Sequence, residues 1–169
     1  MIKKFILIYF LFVSAAFSQE LFKSDEYGFE ITFPDYMVVK KGMNESPAVY
    51  SSINEFTFVN VILQNDTSFG YKVIEDYDLE EFITPIKEML NNEFPGYTLM
   101  DYGRTEINSE KSIYMQYKYI RKTETVRVKQ YYMINKFKLY AITTVSNDKE
   151  SADFEPVFND CVNSFKFTN

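Results

Sequence analysis

The sequence predicts an α+β protein, an α/β/α sandwich in which a central antiparallel sheet of about six strands is flanked by amphipathic helices. Three observations carry that expectation. YGFEITFP (27–34) alternates apolar and polar residues with the period of a half-buried strand. Between Tyr97 and Val145, four strand-like stretches are separated only by Asn-Ser-Glu, Thr-Glu and Asn-Lys, connections short enough for antiparallel hairpins. Two further segments, one in mid-chain and one at the end, repeat their apolar residues at helical spacing.

The first element in chain order is a leader. Lys3 and Lys4 form a basic start, Phe5 to Phe17 is an almost unbroken apolar run, and Ala16 and Ser18 stand at positions −3 and −1 of a small-residue cleavage site. Thirteen apolar residues fall short of the roughly 20 that a spanning helix needs. A secretory signal peptide over 1–18 is therefore expected, followed by one domain over 19–169 that begins at Gln19. No cysteine follows the leader to take a lipid.

In YGFEITFP, Phe29, Ile31 and Phe33 share one face, Glu30 and Thr32 take the other, and Pro34 ends the strand. DYMVVKKGMNESP (35–47) reads as a turn, a short extended piece and a polar loop, and 48–66 as one or two strands closed by Asn65-Asp66. In DLEEFITPIKEMLNNEFPG (78–96) the helical stripe is Leu79, Phe82, Ile83, Ile86, Met89 and Leu90. Asp78 and Glu81 fit a capping box, and Pro95-Gly96 closes the exit. Pro85 inside the stripe predicts a kink, or a restart with Thr84 as cap. After the hairpins, Phe154, Val157, Phe158, Cys161, Val162 and Phe165 mark the last helix, whose start at Asp153 or Phe154 would accommodate Pro156.

Composition excludes more chemistry than it names. The 169 residues hold 18 basic and 24 acidic side chains, and loss of Lys3 and Lys4 with the leader would move the net charge from −6 to −8. An acidic chain argues against nucleic-acid binding and against attraction to anionic membranes. Histidine is absent, which rules out Ser-His-Asp and Cys-His nucleophile systems and any His-ligated zinc site. Cys161 is the only cysteine, so stability rests on packing, for which 17 Phe and 14 Tyr supply the material.

The order of an opening YGFEITFP strand, a mid-chain helix, the hairpins YMQYKYI and VKQYYMINKFKLYAIT, and the ending FEPVFNDCVNSFKF resembles the PsbP-like superfamily of α/β/α sandwich domains over residues 27–167. That superfamily includes the photosystem II extrinsic protein, a Ran-binding protein and many small exported bacterial proteins. The resemblance implies a non-enzymatic domain that docks on a partner. Metal ligands of the photosynthetic members include histidines, which this chain lacks, and no Ran-binding position can be matched, so no site is carried over.

Residue patterns suggest several candidates. Lys118, Arg121, Lys122, Arg127 and Lys129 are the one basic concentration. If the two strands pair through Thr123-Glu124, Lys118 and Lys122 on one and Arg127 and Lys129 on the next would form a partner-docking patch, set against a plainly solvated sheet face. Glu75, Asp76, Asp78, Glu80 and Glu81 imitate the start of a calcium loop. Glu81 stands where that loop needs glycine and Lys87 where it needs a bidentate Glu, so helix capping is the simpler role, with a weak divalent site left open. Ser146 to Lys149 has the S-x-x-K spacing of acyl enzymes without the accompanying elements. Cys161 sits on an apolar stripe and reads as core. Tyr114, Tyr117, Tyr119, Tyr131, Tyr132 and Tyr140 crowd the hairpins, some in the core and some facing out.

The functional expectation is an exported, monomeric, non-enzymatic binding or accessory domain of the cell envelope that docks to a protein partner and needs no cofactor. The alternative is a small-ligand carrier with an apolar or aromatic cleft between sheet and helix. A carboxylate-only glycosidase needs no histidine and is the third reading.

Overall fold

The computed structural model describes residues 19–41, 47–65 and 72–168; the expected signal peptide over 1–18, the polar loop at 42–46 and Asp66 lie outside them. The elements run β1 (Gln19–Ser24), β2 (Phe29–Pro34), β3 (Val38–Lys41), β4 (Pro47–Asn54), β5 (Thr57–Asn65), α1 (Leu79–Glu93), β6 (Thr98–Ile107), β7 (Glu110–Arg121), β8 (Glu124–Asn135), β9 (Lys138–Asn147), α2 (Ser151–Ser164) and β10 (Lys166–Phe167). A seven-stranded antiparallel sheet has the order β3-β4-β5-β9-β8-β7-β6, and a second, three-stranded sheet has the order β1-β2-β10. The fold is α+β as expected, with seven strands in the large sheet rather than about six and an added small sheet.

The large sheet separates two cores. On one face, α1 delivers Ile83 and Leu90 against Ile113, Met115 and Val128. On the other, α2 and the small sheet bring Phe158, Val162 and Phe165, with Phe29, Ile31 and Phe33, against Val61, Met133 and Ile142. The alternation read in β2 is exact in its consequence: Phe29, Ile31 and Phe33 are each 0 % exposed. Burial of each is worth about 1.5–3 kcal/mol before the cost of ordering the chain. Ring packing of Phe29 on Phe165, centroids 5.4 Å apart, ties the first described hairpin to the end of α2.

Three tight turns build the β6–β9 meander. Asn108-Ser109 and Lys136-Phe137 both carry positive φ at each central residue, as two-residue hairpins require, and Lys122 has φ +58°. The turn between β7 and β8 is therefore Lys122-Thr123, one residue earlier than Thr123-Glu124, because Arg121 pairs with Glu124.

Of the two outcomes expected at Pro85, the restart does not occur, and α2 starts earlier than expected before Pro156. α1 runs through Pro85 without restarting at Thr84; Pro85 is exposed, so the carbonyl that loses its partner can turn to solvent. Asp78 caps α1 by accepting from the backbone N–H groups of Glu80 and Glu81 at 2.9 and 3.1 Å, while Glu81 returns no side-chain bond among the described residues. α2 begins at Ser151, before Asp153, because a 3₁₀ turn over Asp148–Glu150 already starts the coil. None of the described helices is long and apolar enough to cross a membrane.

Candidate functional site

The β7–β8 ladder sets Lys118 opposite Arg127, Gln116 opposite Lys129 and Tyr114 opposite Tyr131. On β9 the row continues with Ser146, Thr144 and Ile142. Tyr131 and Ile142 belong to the core under α2, so this whole row faces the α2 side of the sheet. Where α2 no longer covers the row, a small cleft of about 50 Å³, partly open to solvent, lies between sheet and helix. Gln116, Arg127, Lys129, Thr144 and Ser146 form its floor, and Ser151, Glu155 and Phe158 its helix wall.

Three of the four cations read as a docking patch share this face, and the fourth does not. Lys122 lies in the turn beyond the end of β7 and pairs with the Glu55 carboxylate, so it cannot share a strand face with Lys118. Arg121 reinforces the same tether by donating to the Glu55 carbonyl at 2.8 Å. Arg127 is held by Asp148, whose Oδ1 accepts from Nε at 2.8 Å and stands 2.7 Å from Nη2. Lys118 and Lys129 make no ion pair among the described residues. Lys129 is instead braced by two rings, its Nζ 5.4 Å from the Tyr114 centroid and 5.2 Å from that of Tyr131. Each such contact is worth about 0.5–1 kcal/mol at an accessible site, and the pair aims the ammonium.

The other candidates take part in structural contacts. Glu80 accepts from the Tyr102 hydroxyl at 2.5 Å and from Lys87 at 3.3 Å; the tyrosine bond first, then the lysine, hold its carboxyl below the usual range. No group of three or more His, Cys, Asp or Glu side chains among the described residues is placed to hold a metal. Ser146 and Lys149 share no hydrogen bond among the described residues; Ser146 is buried in the sheet while Lys149 is exposed on the 3₁₀ turn. Cys161 is 1 % exposed, and burial, followed by the neighbouring Asp160 charge, pushes its thiol up to about 12. It is core.

Tyr117 and Tyr132 are buried on the α1 face, where burial raises both hydroxyls well above the ordinary tyrosine value. Both donate to Gln130 Oε1, at 3.3 and 2.8 Å, and Gln130 Nε2 donates to Thr143 at 3.2 Å. Reading the sequence missed this cluster; its only trace is a glutamine inside an otherwise apolar and aromatic strand. A second cleft of about 290 Å³, partly open to solvent, lies at the edge of the contact between the small sheet and α2 and is lined by Pro34, Tyr36, Pro156, Val157 and Cys161 among others.

No family model and no curated protein matches the chain. Solved structures do match. The α+β sandwich is similar in fold to the cyanobacterial PsbP (CyanoP) of Synechocystis sp. PCC 6803, which superposes with a TM-score of 0.67 at 13 % identity, over 92 % of this chain and 95 % of that one. LpqN of Mycobacterium tuberculosis, involved in cell envelope biogenesis, gives a TM-score of 0.60 at 10 % identity over 90 % and 91 % of the two chains. The Ran-binding protein Mog1p of Saccharomyces cerevisiae gives 0.59 at 10 % identity over 91 % and 97 %. Identities this low establish the shared fold alone.

Proposed function

We propose that the protein is an exported accessory domain of the cell envelope that docks to a protein partner and catalyses no reaction. In this reading residues 1–18 are a cleaved signal peptide and 19–169 a single monomeric domain. The observation that carries it is the row of Lys118, Arg127 and Lys129 in a chain of net charge −6, two of the three with no ion pair among the described residues. Unpaired cations on a rigid hairpin face attract an acidic surface and set its register. The envelope role of LpqN and the Ran-binding role of Mog1p support a docking function on this scaffold.

The test is an affinity pull-down from the native cells after light cross-linking, with the K118Q/K129Q variant alongside. Recovery of one envelope protein by wild type, lost in the variant, is the expected result; equal recovery by both would end the patch reading. The intact mass of the recovered protein should correspond to a chain starting at Gln19. A second reading, a small-ligand carrier, is favoured by the cleft lined by Tyr36, Pro156 and Val157 between the small sheet and α2. Native mass spectrometry of freshly purified protein separates the two, since a carrier would arrive with a bound mass.

A further inference from the structure

We infer that the cleft between β7–β9 and the first turns of α2 is a binding site for a monoanionic carboxylate carried on a short apolar body. The floor supplies three donors that have no hydrogen-bond acceptor among the described residues: the Lys129 ammonium, the Gln116 amide and the Ser146 hydroxyl. Ser146 is the telling one. It is 3 % exposed, yet its hydroxyl is not among the sealed polar atoms such as that of Ser51, so its free side opens onto the cleft. A donor this deep is normally satisfied within the protein, and here its remaining partner can come only from the cleft. Its neighbour Thr144 already donates, to the Lys129 carbonyl at 3.3 Å.

Charge selects the ligand. Arg127 is neutralised by Asp148 on the rim, while Lys129 faces Glu155 across the cleft without pairing to it. The four charges cancel, so one negative group beside Lys129 is accommodated, whereas a second would meet Glu155. That favours a monocarboxylate over phosphate or a dicarboxylate. Tyr131 and Phe158, 6 % and 7 % exposed, offer apolar contacts for the body of the ligand; the cavity of about 50 Å³ has room for the carboxylate head, with the short body at its open mouth. The site shares Lys129 with the docking face but does not require a protein partner.

The experiment is a ¹H–¹⁵N correlation titration of the purified protein with butyrate, with succinate, and with a leucine-terminated tripeptide in free-acid and C-terminally amidated forms. Saturable shifts confined to residues 127–131, 144–147 and 151–159 are expected with butyrate. Binding should weaken at least about tenfold in K129M and about threefold in S146A, the loss of a charged and of a neutral donor. E155Q should strengthen succinate relative to butyrate. Saturation by the free-acid tripeptide alone would assign the carboxylate to a chain terminus; saturation by butyrate assigns it to a small molecule. The absence of saturation with every carboxylate, or affinities that K129M and S146A leave unchanged, would overturn the site. Loss of butyrate binding in K129M while K118Q/K129Q still recovers the envelope partner would uphold the cleft and end the docking reading; the reverse pair of results would do the opposite.

Discussion

Replacing Gln130 with leucine isolates the polar cluster that backs the strand carrying Lys129. Gln130 Oε1 accepts from the Tyr132 and Tyr117 hydroxyls at 2.8 and 3.3 Å, and its Nε2 donates to Thr143 at 3.2 Å. Tyr117 is 3 % and Tyr132 6 % exposed, so neither stranded hydroxyl could turn to bulk water. Each buried group left without its partner costs about 1–3 kcal/mol. Leucine is close to glutamine in volume and recovers about 1 kcal/mol through apolar burial, since Gln130 is only half-buried. The expected net loss is about 2–4 kcal/mol, a fall in Tm of roughly 5–15 °C for a domain of this size. Urea and thermal unfolding followed by far-ultraviolet circular dichroism would read it. The triple variant Y117F/Q130L/Y132F removes donors and acceptor together and should regain most of the stability, because an apolar replacement of both partners is nearly neutral. A Q130L protein within about 0.5 kcal/mol of wild type, or a triple variant no more stable than Q130L, would refute the reasoning.

Two further outcomes follow from the other core. Burial lifts the Cys161 thiol from about 9 to about 12, so its stabilising contribution is complete below about pH 9 and is lost as the pH rises toward 12. C161A should therefore lose stability less steeply on the alkaline side, and native Cys161 should resist iodoacetamide at pH 8 until the protein is unfolded. Ser164 Oγ accepts from the Thr32 N–H at 2.8 Å and donates to the Cys161 carbonyl at 2.6 Å, filling the ladder position beyond the short β10. S164A should cost about 1–2 kcal/mol in urea unfolding and speed exchange of the Thr32 amide.

The parts of the fold that could be read in the sequence are those where a single local rule decides. β2 shows its period because one face is fully buried and the other is not. β6 to β9 are legible because the turns between them hold only two residues, which leaves no alternative to antiparallel pairing. β1 escaped because it packs along one side of β2 with none of its side chains fully buried, so QELFKS carries no clear alternation. β10 escaped because two residues cannot display a period at all.

The site divides in the same way. Lys118, Arg127 and Lys129 could be placed on one face from strand parity alone, and the ladder puts them there. Lys122 could not, because its place depends on which two residues form the turn, and a shift of one residue carries it from the strand into a left-handed corner beside Glu55. The cleft is harder still. Its floor comes from three strands and its wall from a helix that enters after a 3₁₀ turn, so Ser146 and Phe158 come to line one cleft only through tertiary packing. What turns a solvated basic face into a candidate site is therefore the path of α2. The helix buries Tyr131 and leaves Lys129, two residues away in sequence and on the same side of the sheet as Ser146, uncovered beside a free hydroxyl. Without that path, the same lysine would be another surface charge.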